Sequence, residues 1–116
     1  MRAVVLSGPN QFAPAEIEKP QIGPDEILLE MKAAAICGTD MRILTGKKTK
    51  GVRYPSVIGH EFCGEIVQVG PKWADKYKAG DKFTIQPALN YKGRLGTPGY
   101  AYRYCGGDAT YAILPQ

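Results

Sequence analysis

The segment from Glu26 to Ile36 constrains the fold of this chain more than any other. Ile27, Leu29, Met31, Ala33 and Ala35 recur at every second position, with Glu30 and Lys32 between them. A period of two puts the apolar set on one face of an extended backbone, so the segment predicts a half-buried strand running directly into Cys37. Such a strand needs partners, and the chain offers them as short apolar runs: Ala3 to Leu6, Phe62 to Val69, Asp81 to Gln86 and Ala109 to Leu114. Turn formers separate them, since Gly 14 and Pro 9 together make up nearly a fifth of the 116 residues. One short helix is expected from Asp40 to Leu44, with Thr39 able to cap its amino end and Gly46 to end it. About five strands at this spacing predict a mainly β fold, a small and mostly antiparallel barrel with one or two short helices.

A chain of 116 residues holds one domain, here 1–116, and excludes a complete two-domain nucleotide-dependent enzyme. Hydrophobic residues at 44 % suffice for one modest core. The net charge of +4 does not make a nucleic-acid interface. Lys47, Lys48, Lys50 and Arg53 form the only dense basic patch, which suits a solvated face or an anion-attracting pocket; Lys72, Lys76, Lys78 and Lys82 are interrupted by Asp75 and Asp81. No apolar run reaches the ~18 residues of a membrane span. Met1 to Leu6 is too short for a signal-peptide core. Cys37, Cys63 and Cys105, odd in number and widely spaced, fit reduced thiols in the cytoplasm better than a disulfide framework.

His60 is the only histidine, so imidazole chemistry in this chain rests on it. Gly59-His60-Glu61 opens one predicted strand and Cys37-Gly38-Thr39-Asp40 closes another. A soft thiolate and an imidazole offered from neighbouring strand ends suit zinc, but two ligands do not hold a catalytic ion, which takes three and an open position. Cys63, with apolar neighbours inside a strand, is expected to be a small buried core residue. From Pro87 to Gly106, Tyr91, Tyr100, Tyr102 and Tyr104 occur among glycines with little alternation, which predicts a long loop or lobe. No GxGxxG or P-loop fingerprint occurs.

The order of these motifs carries a resemblance. Cys37-Gly38-Thr39-Asp40 is followed by Tyr54-Pro55 and by Ile58-Gly59-His60-Glu61-Phe62-Cys63-Gly64. Val67-Gln68-Val69-Gly70, Ala79-Gly80-Asp81, Gly106-Gly107-Asp108-Ala109 and Pro115 come next. The whole chain resembles the zinc-dependent medium-chain alcohol dehydrogenases, more narrowly the branch of sorbitol and threonine dehydrogenases. The resemblance implies a GroES-like, partly open antiparallel β-barrel as the catalytic domain. A Rossmann domain for NAD or NADP would follow it, and these residues alone would be inactive.

It also implies roles. Cys37 and His60 would be the first two ligands of one catalytic Zn2+, with a further Cys or Glu ligand lying after Gln116. Glu61 is either a ligand that trades with water or an outer acid. Asp40 would orient His60 through its other ring nitrogen, and Thr39 would take the proton of an alcohol or polyol. Many relatives pass that proton to a His two positions after the Asp; here that residue is Arg42, which cannot act as a base near neutral pH. Many also carry four cysteines in the lobe, where this chain has only Cys105, so no structural zinc is expected. The full protein is expected to be a cytoplasmic homo-oligomer, dimer or tetramer, with no nucleic-acid or membrane partner. Two other classes stay open: a zinc-independent quinone reductase on the same fold, and a non-enzymatic GroES-like binding module.

Overall fold

The computed structural model describes residues 1–85, 89–91, 94–96 and 106–114. Among the described residues, eight strands form three antiparallel sheets that do not close into a barrel, with one α-helix and one 3-10 turn. β1 (Arg2–Gly8) pairs with β2 (Gln11–Glu16). β3 (Ile27–Ala34), β4 (Phe62–Val69), β5 (Lys82–Thr84) and β8 (Tyr111–Leu114) form a four-stranded sheet in the order β5-β4-β3-β8. β6 (Leu89–Tyr91) and β7 (Arg94–Gly96) pair inside the segment expected to be a loop or lobe. Tyr91, Tyr100, Tyr102 and Tyr104 of that segment, and Cys105, lie outside the residues whose side chains are described.

Burial along β3 does not follow the expected alternation: its first three residues are all buried and its last three all exposed. Ile27 and Leu29 are buried with Phe62, Ile66, Ala112 and Leu114 in the main core. Leu28, on the opposite face, is buried as well, whereas Ala33 and Ala35 are exposed. The cause is the topology: the β8 side reaches β3 only as far as Met31, whose N–H donates to the Thr110 carbonyl, and beyond that point β4 is its one strand partner among the described residues, across a register shift between Met31 and Ala33. Each of the fully buried Leu28, Leu29 and Ile66 contributes about 1.5–3 kcal/mol of transfer free energy. Cys63 is a correction to the expected core residue. It is half-buried and lines a surface hollow with Ala33, Ala34, Ala35 and Thr84.

The helix α1 (Gly38–Leu44) begins two residues earlier than expected, and Cys37 rather than Thr39 caps it. Gly46, at φ +76°, follows the C-cap Thr45 and donates to the Ile43 carbonyl at 3.1 Å, which ends the helix as its sequence suggests. Ile43 on its inner face packs with Leu6 of β1 and Ile58, forming a second small core. β1 joins the two cores, since Leu6 and Ser56 exchange backbone hydrogen bonds while Val4 donates to the Asp108 carbonyl. No helix among the described residues is long and apolar enough to cross a membrane.

Candidate metal centre

Four backbone hydrogen bonds bring residues distant in sequence to one place. Ala35 N–H donates to the Glu61 carbonyl at 2.8 Å, which draws the end of β3 toward the start of β4. The segments 57–59 and 106–108 run together through Gly106 N–H to Val57 O, Gly107 N–H to Gly59 O and Asp108 N–H to Ile58 O. Packing of Ile58 on Ile43 then seats His60 beside the first turn of α1.

At that turn the caps are reciprocal. Thr39 N–H points at Cys37 Sγ, 3.5 Å away, while Asp40 Oδ2 accepts from Cys37 N–H at 2.9 Å. Both bonds use amide donors that a helix start would otherwise leave unpaired. The cap therefore holds the Cys37 and Asp40 side chains in fixed positions. Asp40 is the one buried charged residue among the described residues. Its Oδ1 makes no well-aligned hydrogen bond, but His60 Nδ1 lies 3.2 Å from it; a small ring rotation turns this contact into a hydrogen bond.

Donor atoms of Cys37, His60 and Glu61 all lie within 4.8 Å of one another, and each of the three residues is half-buried. Tetrahedral zinc with ordinary bond lengths sets its donors ~3.5 Å apart, so the trio must close by about 1 Å, which side-chain torsions can supply. A thiolate, an imidazole and a carboxylate form a donor set that suits zinc, and the fit leaves a fourth position free. With Nδ1 turned to Asp40, Nε2 is the His60 nitrogen left for a metal. Of the five residues singled out from the sequence, Cys37, Asp40, His60 and Glu61 thus meet at one site, and Thr39 joins it through its amide, which faces Cys37 Sγ. Arg42 is exposed and makes no ion pair among the described residues.

Asp108 is the residue that sequence reasoning left without a role, although it stands in the Gly106-Gly107-Asp108-Ala109 motif. Burial raises its carboxyl above the ordinary 3.8; the Asp40 carboxylate raises it further and His60 opposes the shift. An acid whose pKa is raised by folding binds its proton more tightly in the folded state. Its ionisation therefore costs stability, a cost absent below 3.8 and complete once the pH has risen past the elevated value. Asp108→Asn is expected to make the metal-free protein more stable than wild type at neutral pH, with the difference vanishing as the pH falls below 3.8. Urea unfolding across that range measures it; a gain that persists below 3.8 contradicts the assignment.

The family model for the alcohol dehydrogenase GroES-like domain matches residues 23–116. A mannitol-1-phosphate 5-dehydrogenase of Aliivibrio fischeri is 37 % identical over 120 residues, covering 98 % of this chain and 28 % of its own length. An L-threonine 3-dehydrogenase of Rhizobium rhizogenes is 38 % identical over 85 residues, covering 71 % of this chain and 24 % of its own. The crystal structure of galactitol-1-phosphate dehydrogenase from Escherichia coli superposes with a TM-score of 0.83 at 25 % identity, over 100 % of this chain and 36 % of that one. The chain thus spans about a quarter of the length of the curated relatives it matches.

Proposed function

The chain belongs to the alcohol dehydrogenase GroES-like domain family, and from that premise we propose that it is the zinc-binding catalytic portion of an NAD(P)-dependent alcohol or polyol dehydrogenase. The convergence of Cys37, His60 and Glu61, with Asp40 behind His60, carries this reading. A quinone reductase or a binding module has no use for that donor set. The two relatives named for mannitol 1-phosphate and galactitol 1-phosphate favour a phosphorylated polyol within the substrate class. Free thiols at Cys37 and Cys63 agree with a cytoplasmic setting.

Cys37, His60 and Glu61 would hold the ion, with any ligand from outside these residues completing the set. Zinc bound there supplies Lewis acidity toward an alcohol oxygen, lowering the pKa of its hydroxyl. Thr39 makes no side-chain hydrogen bond among the described residues, so its hydroxyl is free to accept the alcohol proton. Asp40 fixes the His60 ring through Nδ1 and, through the Cys37 amide, fixes the approach of the sulfur. Arg42 cannot take the proton onward, so solvent receives it from Thr39. A nicotinamide, which no residue of this chain is assigned to bind, would supply the acceptor for the hydride of the alcohol carbon.

The test is metal dependence in the intact protein. Chelation is expected to abolish reduction of NAD+ or NADP+ by a polyol, and one equivalent of zinc to restore it. Full turnover by metal-free protein overturns the reading.

A further inference from the structure

We propose that Asp108 is a positioning residue of the metal centre, a second carboxylate whose negative charge works beside Asp40 to hold His60 and its zinc. The proposal rests on the metal-binding reading above and adds to it a residue that the donor set does not contain.

Placement is the first argument. Asp108 N–H donates to the Ile58 carbonyl at 3.1 Å, and the Asp108 carbonyl accepts from Val4 N–H at 2.9 Å, so its backbone is fixed on both sides. Gly107 N–H, bonded to the Gly59 carbonyl at 2.9 Å, ties the preceding residue to the turn that carries His60. The Asp108 side chain faces that same turn, since a Cβ on Gly59 would lie 2.9 Å from Asp108 Oδ1. The carboxylate therefore occupies the space a side chain at position 59 would take, immediately before His60. Gly59 is required there for its φ of +102° and for its missing Cβ alike. On the other flank a Cβ on Gly107 would fall 2.5 Å from Phe62 Cδ1, so the segment leading to Asp108 is seated against the chain on both sides of His60.

Charge is the second. Asp40 is 4 % exposed, its Oδ1 has no well-aligned partner, and His60 Nδ1 at 3.2 Å is its one ion-pair neighbour among the described residues. No Lys or Arg among the described residues pairs with Asp40 or Asp108. Asp40 and His60 are the charged groups that act on Asp108. Two carboxylates thus share the surroundings of one imidazole with no permanent cation. That arrangement is unfavourable in the metal-free fold. A divalent ion on His60 reverses its sign, because both carboxylates are then attracted toward the ion. Packing alone does not call for a carboxylate here, since asparagine has nearly the same shape without the charge.

The experiment uses the intact protein, with Asp108→Asn compared with Glu65→Gln. Glu65 carries the same charge on β4, but lies roughly 16 Å beyond His60 along an extended backbone, more than a Debye length at physiological salt. Zinc affinity is read by competition with a chromophoric chelator. It is expected to weaken roughly 10-fold in Asp108→Asn and to stay within about twofold of wild type in Glu65→Gln. Urea unfolding of the metal-free proteins is the second readout. Asp108→Asn is expected to be no less stable than wild type there, a split that a merely structural role does not produce. Wild-type zinc affinity in Asp108→Asn overturns the proposal, as does an equal loss in Glu65→Gln, or a loss accompanied by a destabilised metal-free protein. A wild type that binds no zinc overturns the metal-binding reading and the proposal with it, whereas a zinc-binding wild type with an unaffected Asp108→Asn overturns the proposal alone.

Discussion

His60→Ala in the intact protein is expected to release the zinc and to lower alcohol oxidation by roughly 10³-fold or more. Loss of Lewis-acid stabilisation removes several kcal/mol from the transition state, and each 1.4 kcal/mol is about tenfold in rate. The same substitution leaves the buried Asp40 facing a cavity, so a loss of stability is expected alongside. Asp40→Asn separates the two effects. It preserves the cap to the Cys37 amide through its amide oxygen while weakening the hold on the His60 ring. Its zinc affinity is expected to fall by roughly 10- to 100-fold, as for other residues that orient a ligand. Zinc content by elemental analysis, read beside kcat, decides the matter. A His60→Ala protein with one full equivalent of zinc and wild-type kcat would remove the metal centre from the mechanism.

Gly106→Ala is expected to be the most damaging glycine-to-alanine substitution among the described residues. A Cβ at Gly106 would lie 2.1 Å from the Ile58 carbonyl oxygen and 2.6 Å from that of Gly59. Both obstacles are backbone, so no rotamer change relieves them. Either the 106–108 segment separates from 57–59 or the segment carrying His60 moves. Overpacking of this kind costs about 3 kcal/mol or more, and in a domain of this size that lowers the unfolding temperature by on the order of 10 °C. Gly38→Ala is the control, since nothing lies within 4 Å of a Cβ there and its backbone is helical. Its unfolding temperature is expected to stay within about 2 °C of wild type. Differential scanning calorimetry of the pair is sufficient; equal unfolding temperatures would contradict the close approach at Gly106.

Some of this architecture was legible in the chain because it is local. β4 spans Phe62–Val69 as its Val, Ile and Phe content and flanking glycines indicate. The cysteine and histidine of the metal centre were visible as donor chemistry at two predicted strand ends. β2 was not legible. Its residues Gln11–Glu16 do not alternate, include Pro14 and are exposed throughout, so only the pairing with β1 makes them a strand. The capping role of Cys37 was missed because cysteine is not among the residues that ordinarily cap helices. The cap forms because Asp40 is held inward and reaches back to the Cys37 amide. Asp108 carried no signal of its own, since an aspartate after two glycines reads equally well as a turn residue.

By itself the amino-acid order determined the class of fold, the candidate donor residues and the family resemblance, because periodicity, turn residues and ligand chemistry are properties of neighbouring positions. Only the tertiary structure decided that β3 loses its cover on both faces toward its end, and that Glu61 stands with Cys37 and His60. It also decided that Asp108 N–H bonds the Ile58 carbonyl, two residues before His60, and that Lys48 N–H reaches back to the Arg42 carbonyl. Those outcomes depend on pairings between segments tens of residues apart, such as Ala35 with Glu61 and Gly106 with Val57. Such pairings are selected by the burial of the whole sheet rather than by any local preference.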